Sequence, residues 1–156
     1  MMIRIALLFA IPAAALASAA DSTAAADVSV EVFSAMQEAD GAAIVACLSL
    51  GALAELDGIL QNLRENPDLT LAMLSFNWGV ETVPTNYDEW GYGDLLSVIY
   101  SSTFSKSILL DTTNSLTEVT VAGDTAVALW SLCGEDWPMV LVLEDGEWKV
   151  DDIEDF

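Results

Sequence analysis

Residues 116–153 fall into four runs of alternating side-chain character, separated by residues typical of turns. The residues at every second position are Thr117, Val119 and Val121, then Ala126, Ala128, Trp130 and Leu132, then Trp137, Met139, Leu141 and Leu143, and finally Trp148 and Val150. Alternation with a period of two predicts β-strands that bury one face. Asp145-Gly146 between two runs predicts a tight hairpin, because both central residues of the favoured turn need positive φ. The stretch therefore predicts a four-strand antiparallel meander.

The turns also predict how the strands pair, because a slip of one residue would move every side chain to the opposite face. We expect a two-residue loop at Asp145-Gly146 and a four-residue loop at Cys133 to Asp136. The resulting pairs are Leu143 with Trp148, Leu141 with Val150, Met139 with Asp152, Leu132 with Trp137, Trp130 with Met139, Ala128 with Leu141, and Ala126 with Leu143. This pairing places the large apolar side chains on one face and sets small alanines opposite bulky leucines.

The other face of the meander has an apolar centre and a polar border. Val127, Leu129, Val140 and Val142 form the centre, and Thr125, Ser131, Glu144, Lys149 and Asp151 form the border. An apolar patch inside a polar rim is typical of an interface. We expect a contact surface here, with a two-fold homodimer as the partner. The competing prediction is that residues 108–110 or the acidic tail cover the patch.

Helical spacing of apolar residues predicts five helices before the sheet. Their apolar positions are Val28, Val32, Phe33 and Met36; Ile44, Cys47 and Leu48; Leu53, Leu56, Leu60 and Leu63; Leu69, Met73, Leu74 and Phe76; and Leu95, Val98 and Ile99. Asp40-Gly41 ends the first helix, Pro67 begins the fourth, and Asp94 caps the fifth. Residues 80–83 and 108–110 are read as short strands. Helices followed by an antiparallel sheet indicate the α+β class.

The first 20 residues have the organisation of a secretory signal peptide. Arg4 precedes an apolar run from Ile5 to Leu16, and small residues in an Ala-x-Ala pattern follow. A buried N-terminal helix is the alternative. The run is too short for a permanent membrane span, and no longer run follows it. We expect export to the periplasm or the extracellular space, a linker at 21–27 and one domain at 28–156.

The chain is strongly acidic: it has 25 acidic and four basic residues, a net charge of −21, and no histidine. Nucleic acids and anionic membranes need basic contacts, so we exclude both as partners. The lack of histidine removes the usual general base and metal ligand. Oxygen donors cluster at residues 86–94 and 151–155, but neither cluster has the spacing of an EF-hand calcium loop. We predict no metal and no cofactor.

Two segments carry a resemblance to a known family. One is the helix at residues 28–40 with Gly41 opening the next helix. The other is the closing run Leu143-Glu144-Asp145-Gly146-Glu147-Trp148-Lys149-Val150-Asp151-Asp152-Ile153. Together they resemble the nuclear transport factor 2-like superfamily, the cystatin-like α+β roll. The resemblance implies a curved sheet wrapped around helices, with a conical pocket between them. The helical insertion from Leu50 to Phe76 departs from the simplest pattern.

Two functions from different classes fit these residues. We expect a non-catalytic exported binding or interaction module, with an unknown apolar ligand in the pocket or a partner on the outer sheet face. The candidate pocket residues are Trp78, Trp90, Tyr92, Tyr100, Trp130, Trp137 and Trp148. The alternative is a small ketosteroid-isomerase-like isomerase or hydratase. Such a site needs a carboxylate base near a tyrosine, and Tyr87-Asp88-Glu89, Tyr92-Gly93-Asp94 and Tyr100 supply those residue types.

Cys47 and Cys133 are the only cysteines. In an exported protein both would reach an oxidising compartment. A bridge between them would close a long loop and stabilise the fold by about 3–5 kcal/mol. The alternative is one buried thiol on the second helix and one thiol in a loop.

Overall fold

A computed structural model describes residues 19–81 and 86–152. In these residues a four-strand antiparallel sheet follows six α-helices. The helices are α1 (Ala19–Glu38), α2 (Gly41–Ala46), α3 (Leu50–Glu65), α4 (Pro67–Trp78), α5 (Tyr92–Ser101) and α6 (Thr103–Leu109), and a short 3-10 helix spans Tyr87–Glu89. The strands are β1 (Ser115–Ala122), β2 (Thr125–Leu132), β3 (Glu135–Glu144) and β4 (Glu147–Val150), in the spatial order of the sequence. The fold is therefore α+β, as predicted.

The predicted linker at 21–27 is wrong, because these residues lie inside α1. Alanine has the most favourable helix propensity, and this segment is rich in it. Ala25 and Ser29 are fully buried, so the segment also packs into the protein. The predicted signal peptide and cleavage region lie almost wholly outside the described residues.

The core lies between α1 and one face of the sheet. Phe33 of α1 stacks on Trp130 of β2, with ring centroids 4.1 Å apart and an interplanar angle of 18°. Met36, Met139 and Leu141 are fully buried around this pair. Side chains thus pack closely between α1 and the sheet, where the family resemblance implies a conical pocket.

The β3–β4 hairpin has the predicted register, with Leu143 opposite Trp148 and Leu141 opposite Val150. Its turn residues have φ values of 52° at Asp145 and 85° at Gly146. The predicted pair of Met139 with Asp152 lies past the end of β4, although the Asp151 N–H still donates to the Val140 carbonyl at 2.9 Å.

The predicted β2–β3 register is wrong by two residues. The observed pairs are Leu132 with Glu135, Trp130 with Trp137, Ala128 with Met139, and Ala126 with Leu141. The turn contains only Cys133 and Gly134, and both adopt positive φ (52° and 83°). A shift of two keeps every side chain on its predicted face, because the strand period is two.

A β-bulge in β1 shifts by one residue which side chains of this strand face the core. Leu116 pairs with Trp130, and Glu118 pairs with Leu129, so Thr117 is an extra residue. The Thr117 hydroxyl donates to the Leu129 carbonyl at 2.8 Å. Beyond the bulge, Val119 and Val121 take the core face opposite the alanines of β2.

The strand predicted at residues 108–110 is wrong, because Ile108 and Leu109 end α6. Ser102 caps this helix: its hydroxyl oxygen accepts from the Ser105 N–H at 3.0 Å. A polar cap of this kind starts a helix even where the apolar residues that follow would suit a strand. The strand predicted at 80–83 lies partly outside the described residues. Val80 is buried and belongs to no helix or strand.

The junction between α2 and α3 is tied to the end of β4. The Ser49 N–H donates to the Val150 carbonyl, and the Val150 N–H donates to the Cys47 carbonyl, both at 2.8 Å. The Ser49 hydroxyl donates to Asp151 Oδ1 at 2.6 Å and accepts from the Ala52 N–H at 3.0 Å. The same serine therefore caps α3 and holds the strand end.

Helices α2 and α5 touch through their backbones at Gly41. The Gly41 N–H donates to Ser97 Oγ at 3.1 Å. A Cβ atom on Gly41 would lie 1.9 Å from the carbonyl oxygen of Gly93. Only a residue without a side chain permits this approach.

Candidate functional site

A cleft of about 700 Å³ lies between α3 and α4, and α5 forms its floor. The lining residues are Glu55, Leu56, Gly58, Ile59 and Asn62 of α3, Thr70, Met73, Leu74, Asn77 and Trp78 of α4, and Leu96, Ile99 and Tyr100 of α5. Residues three and four apart share one face of a helix, so each of the three helices turns one stripe toward the cleft. The volume lies within the range of small-molecule sites in proteins.

The lining of the cleft is mainly apolar, with polar side chains among its members. Most lining side chains are apolar, and the polar amides Asn62 and Asn77 are exposed at its edge. Glu55, also exposed, is the one charged residue of this lining within the described chain. The acidic surface as a whole adds to the repulsion of anions.

Gly58 lines the cleft from the α3 side and is exposed. It lies in the middle of α3, where glycine is a poor helix former. A Cβ atom built on it meets no other atom within 4 Å. A larger side chain at this position would therefore extend into free space at the cleft.

Tyr100 is the buried polar side chain of the cleft floor. It is 4% exposed, and its hydroxyl makes no hydrogen bond with any residue in the described part of the chain. Burial raises the pKa of Tyr100 well above its usual value. The side chain is therefore a neutral phenol at physiological pH, able to donate or accept one hydrogen bond.

We expect this burial to make the protein sensitive to alkali. Because the folded state resists ionisation of Tyr100, its contribution is complete below the unfolded pKa of about 10 and is lost as pH rises further. Urea unfolding from pH 8 to pH 11 should show a smaller alkaline loss of stability in Tyr100→Phe than in the wild type. Tyr92→Phe, which removes the hydroxyl of a partly buried tyrosine outside the cleft, is the control. Parallel pH profiles for the wild type and Tyr100→Phe would contradict the expectation.

A second cavity, of about 160 Å³, adjoins the cleft. Phe104, Ile108 and Leu109 of α6, together with Leu132 and Trp137 of the sheet, form its apolar wall. Asn77, Trp78 and Tyr100 line both the cleft and this cavity. The Trp78–Tyr100 pair is thus the partition between a wide outer compartment and a small apolar inner one.

The structure separates the candidate pocket residues into three groups. Trp78, Tyr100 and Trp137 line the two compartments. Trp130 and Trp148 are core residues, 5% and 6% exposed, and neither lines a described opening. The indole Nε1 of Trp130 has no hydrogen-bond partner in the described structure.

Trp90 and Tyr92 lie on the side of the protein near the start of α5. Trp90 is buried, and its carbonyl accepts a hydrogen bond from Arg64 Nη2 at 2.9 Å. It lines a shallow polar hollow of about 450 Å³ with Glu89 and Asp94. The Tyr92 hydroxyl donates to Asp57 Oδ1 at 3.4 Å. The aromatic residues predicted for one pocket therefore do not share one.

Sequence reasoning missed much of the cleft because it assigned the apolar face of α4 to the core. Leu69, Met73 and Phe76 are 65%, 54% and 90% exposed, and of the predicted set only Leu74 is buried. When a helix is apolar on most of its faces, its sequence pattern does not show which face is buried.

The predicted interface residues Val127, Leu129, Val140 and Val142 all lie on the sheet face away from the core side chains. Each is partly exposed. Of the two competing covers for this patch, residues 108–110 lie at the end of α6, and the acidic tail lies mostly outside the described residues. The homodimer through this face stays a prediction.

Cys47 and Cys133 are free thiols rather than a bridge. Cys47 is buried and bonded through its backbone to Val150, which pairs with Leu141 and through it with Ala126. Cys133 is exposed in the turn seven residues further along β2 than Ala126. At about 3.3 Å per strand residue, the two thiols are roughly 20 Å apart, far beyond bridging distance.

Residues 19–81 and 86–152 contain neither a metal-binding cluster of side chains nor a membrane-spanning helix. No group of three or more Cys, Asp or Glu side chains there could hold a metal ion. None of the helices there has both the length and the apolar character needed to span a bilayer.

Comparison with known proteins returns no match. No family model, no curated protein and no solved structure matches this chain.

Proposed function

We propose that the protein is an exported, non-catalytic binding module that takes an apolar ligand in the cleft between α3 and α4. The observation that carries the proposal is an open, mainly apolar cleft of about 700 Å³, whereas side chains pack closely between α1 and the sheet. The arrangement of helices on an antiparallel sheet is compatible with the nuclear transport factor 2-like superfamily, and we propose that the chain belongs to it. Its ligand site would then lie in the helical insertion.

The alternative is an isomerase or hydratase in the same cleft. One observation favours it: Tyr100 and Glu55 both line the cleft, so a phenol and a carboxylate face a common space. An efficient general base usually has its pKa raised by burial. Glu55 is exposed on α3, which favours the binding module over the enzyme.

Filling the cleft from Gly58 tests the binding function. We expect Gly58→Trp to weaken the binding of the neutral apolar dye Nile red by at least about tenfold, because the indole takes the space of the ligand. Gly58→Ala is the matched control and should bind within about twofold of the wild type, since a methyl group occupies little of the cleft. Binding is measured by the rise in dye fluorescence on titration with protein.

Circular dichroism of both variants checks that the helices are intact. Equal dye affinity in the wild type and Gly58→Trp would rule out the cleft as the site. Turnover of an enolisable ketone by the wild type, lost in Glu55→Gln, would favour the isomerase instead.

A further inference from the structure

The two compartments and the phenol between them define a class of ligand. We propose that the cleft binds an uncharged, elongated molecule with a central hydrogen-bond acceptor, such as an ester or ketone, that meets the Tyr100 hydroxyl. Its short apolar arm enters the inner cavity, and its longer arm lies in the outer cleft. This inference rests on the proposed binding function and names its ligand class.

The first argument is the hydrogen-bonding state of Tyr100. In the described structure Trp130 Nε1 is the fully buried polar side-chain atom without a partner, so the Tyr100 hydroxyl is not sealed from solvent. Tyr100 is 4% exposed and lines both compartments, without a hydrogen bond in the described structure. A ligand acceptor at the partition would satisfy this donor, and a pure hydrocarbon would leave it unsatisfied.

The second argument is the size and polarity of the inner cavity. Its volume of about 160 Å³ is close to that of an apolar protein cavity of about 150 Å³ that binds benzene. Its lining is mainly apolar and includes Phe104, Ile108, Leu132 and Trp137. Only a short apolar group, of the size of a phenyl ring or a butyl chain, suits this space.

The third argument concerns charge. An anionic ligand such as a fatty acid would find no Lys or Arg in the described lining of either compartment. It would also approach a chain with a net charge of −21. Burying its carboxylate without a cationic partner would be costly. The ligand is therefore uncharged where it meets Tyr100.

Benzyl octanoate is a suitable probe, because its ester lies between a phenyl arm and a longer alkyl arm. We expect Tyr100→Phe to weaken its binding by about three- to tenfold, the usual worth of one hydrogen bond. An alkylbenzene of the same length lacks the acceptor and should bind the wild type and Tyr100→Phe equally. Affinities are measured by displacement of Nile red, and octanoate should displace the dye at least about tenfold less well than the ester.

The 4-bromobenzyl ester tests the orientation, because bromine quenches tryptophan fluorescence at contact. We expect it to quench the wild type, and part of the quenching should disappear in Trp137→Phe, since Trp137 lines only the inner cavity. Equal quenching in both proteins would overturn the inner-cavity assignment.

The outcomes separate the two proposals. If the ester binds the wild type and Tyr100→Phe equally, the ligand class is wrong while the binding function stands. If neither Nile red nor the ester binds the wild type, the binding function itself fails. A loss of ester and alkylbenzene binding together in Tyr100→Phe would show a structural role for the tyrosine and would also overturn the inference.

Discussion

Replacing Trp130 with alanine is expected to lower the free energy of unfolding by about 3–5 kcal/mol, the usual cost of removing a buried Trp side chain. Trp130 is 5% exposed at the centre of the sheet and stacks on Phe33 at 4.1 Å. The loss combines buried apolar area with a cavity that rigid neighbours on β2 and α1 cannot close. Urea unfolding followed by far-UV circular dichroism measures it.

Trp130→Phe is the matched control for this substitution. It keeps an aromatic ring against Phe33 and removes an indole N–H that has no acceptor in the described structure. Because a buried donor without a partner is itself destabilising, we expect a clearly smaller loss than for alanine. Equal losses for the two variants would show that the stacked ring does not anchor the core.

Gly41→Ala is expected to destabilise the protein by about 3 kcal/mol, at the upper end of typical overpacking costs. The new methyl group would lie 1.9 Å from the Gly93 oxygen and 2.7 Å from Ser97 Oγ. Relief requires that α2 and α5 move apart as rigid backbones, because no flexible side chain lies at the closest contact. Chemical unfolding of wild type and variant measures the difference.

Gly58→Ala makes the same chemical change in another helix and should have the opposite sign. The methyl group at Gly58 meets no atom within 4 Å, and alanine is favoured over glycine inside a helix by about 1 kcal/mol. We therefore expect a small gain in stability. A destabilised Gly58→Ala, or a Gly41→Ala as stable as the wild type, would contradict the packing at these two positions.

The sheet could be predicted from the sequence where turn chemistry and alternation agree. Asp145-Gly146 is a familiar pair for a turn with two positive φ values, and the register around it is correct. Cys133 takes the same conformation with φ of 52°, although cysteine is not a usual residue there. The local sequence therefore suggested a longer loop, and tertiary pairing across β2 and β3 decided the register.

The helices could be located but not fully oriented. The leucines of α3 repeat on one face, and three of the four predicted ones are buried. In α4 the apolar residues surround the helix, so Phe76 lies outward where the spacing suggested the core. The cap at Ser102, which begins α6, is a signal that sequence reasoning can use but here passed over.

The candidate site was the least predictable part. Tyr100, Trp78 and Trp137 were chosen as aromatic residues, and the structure brings these three to the two compartments. Gly58, Asn62 and Asn77 were missed, because their role depends on how far α3 and α4 stand apart. Helix separation follows from packing among distant residues, and no local pattern encodes it.

The bonds between Ser49 and residues 150–151 have a consequence for the chain during its synthesis. The hydroxyl of Ser49 and its partner Asp151 are 102 residues apart in sequence. A growing chain that has not reached Val150 leaves the Ser49 N–H and the Cys47 carbonyl without their partners. The junction between α2 and α3 is therefore completed only after β4 has been synthesised, and contacts of such long range form slowly.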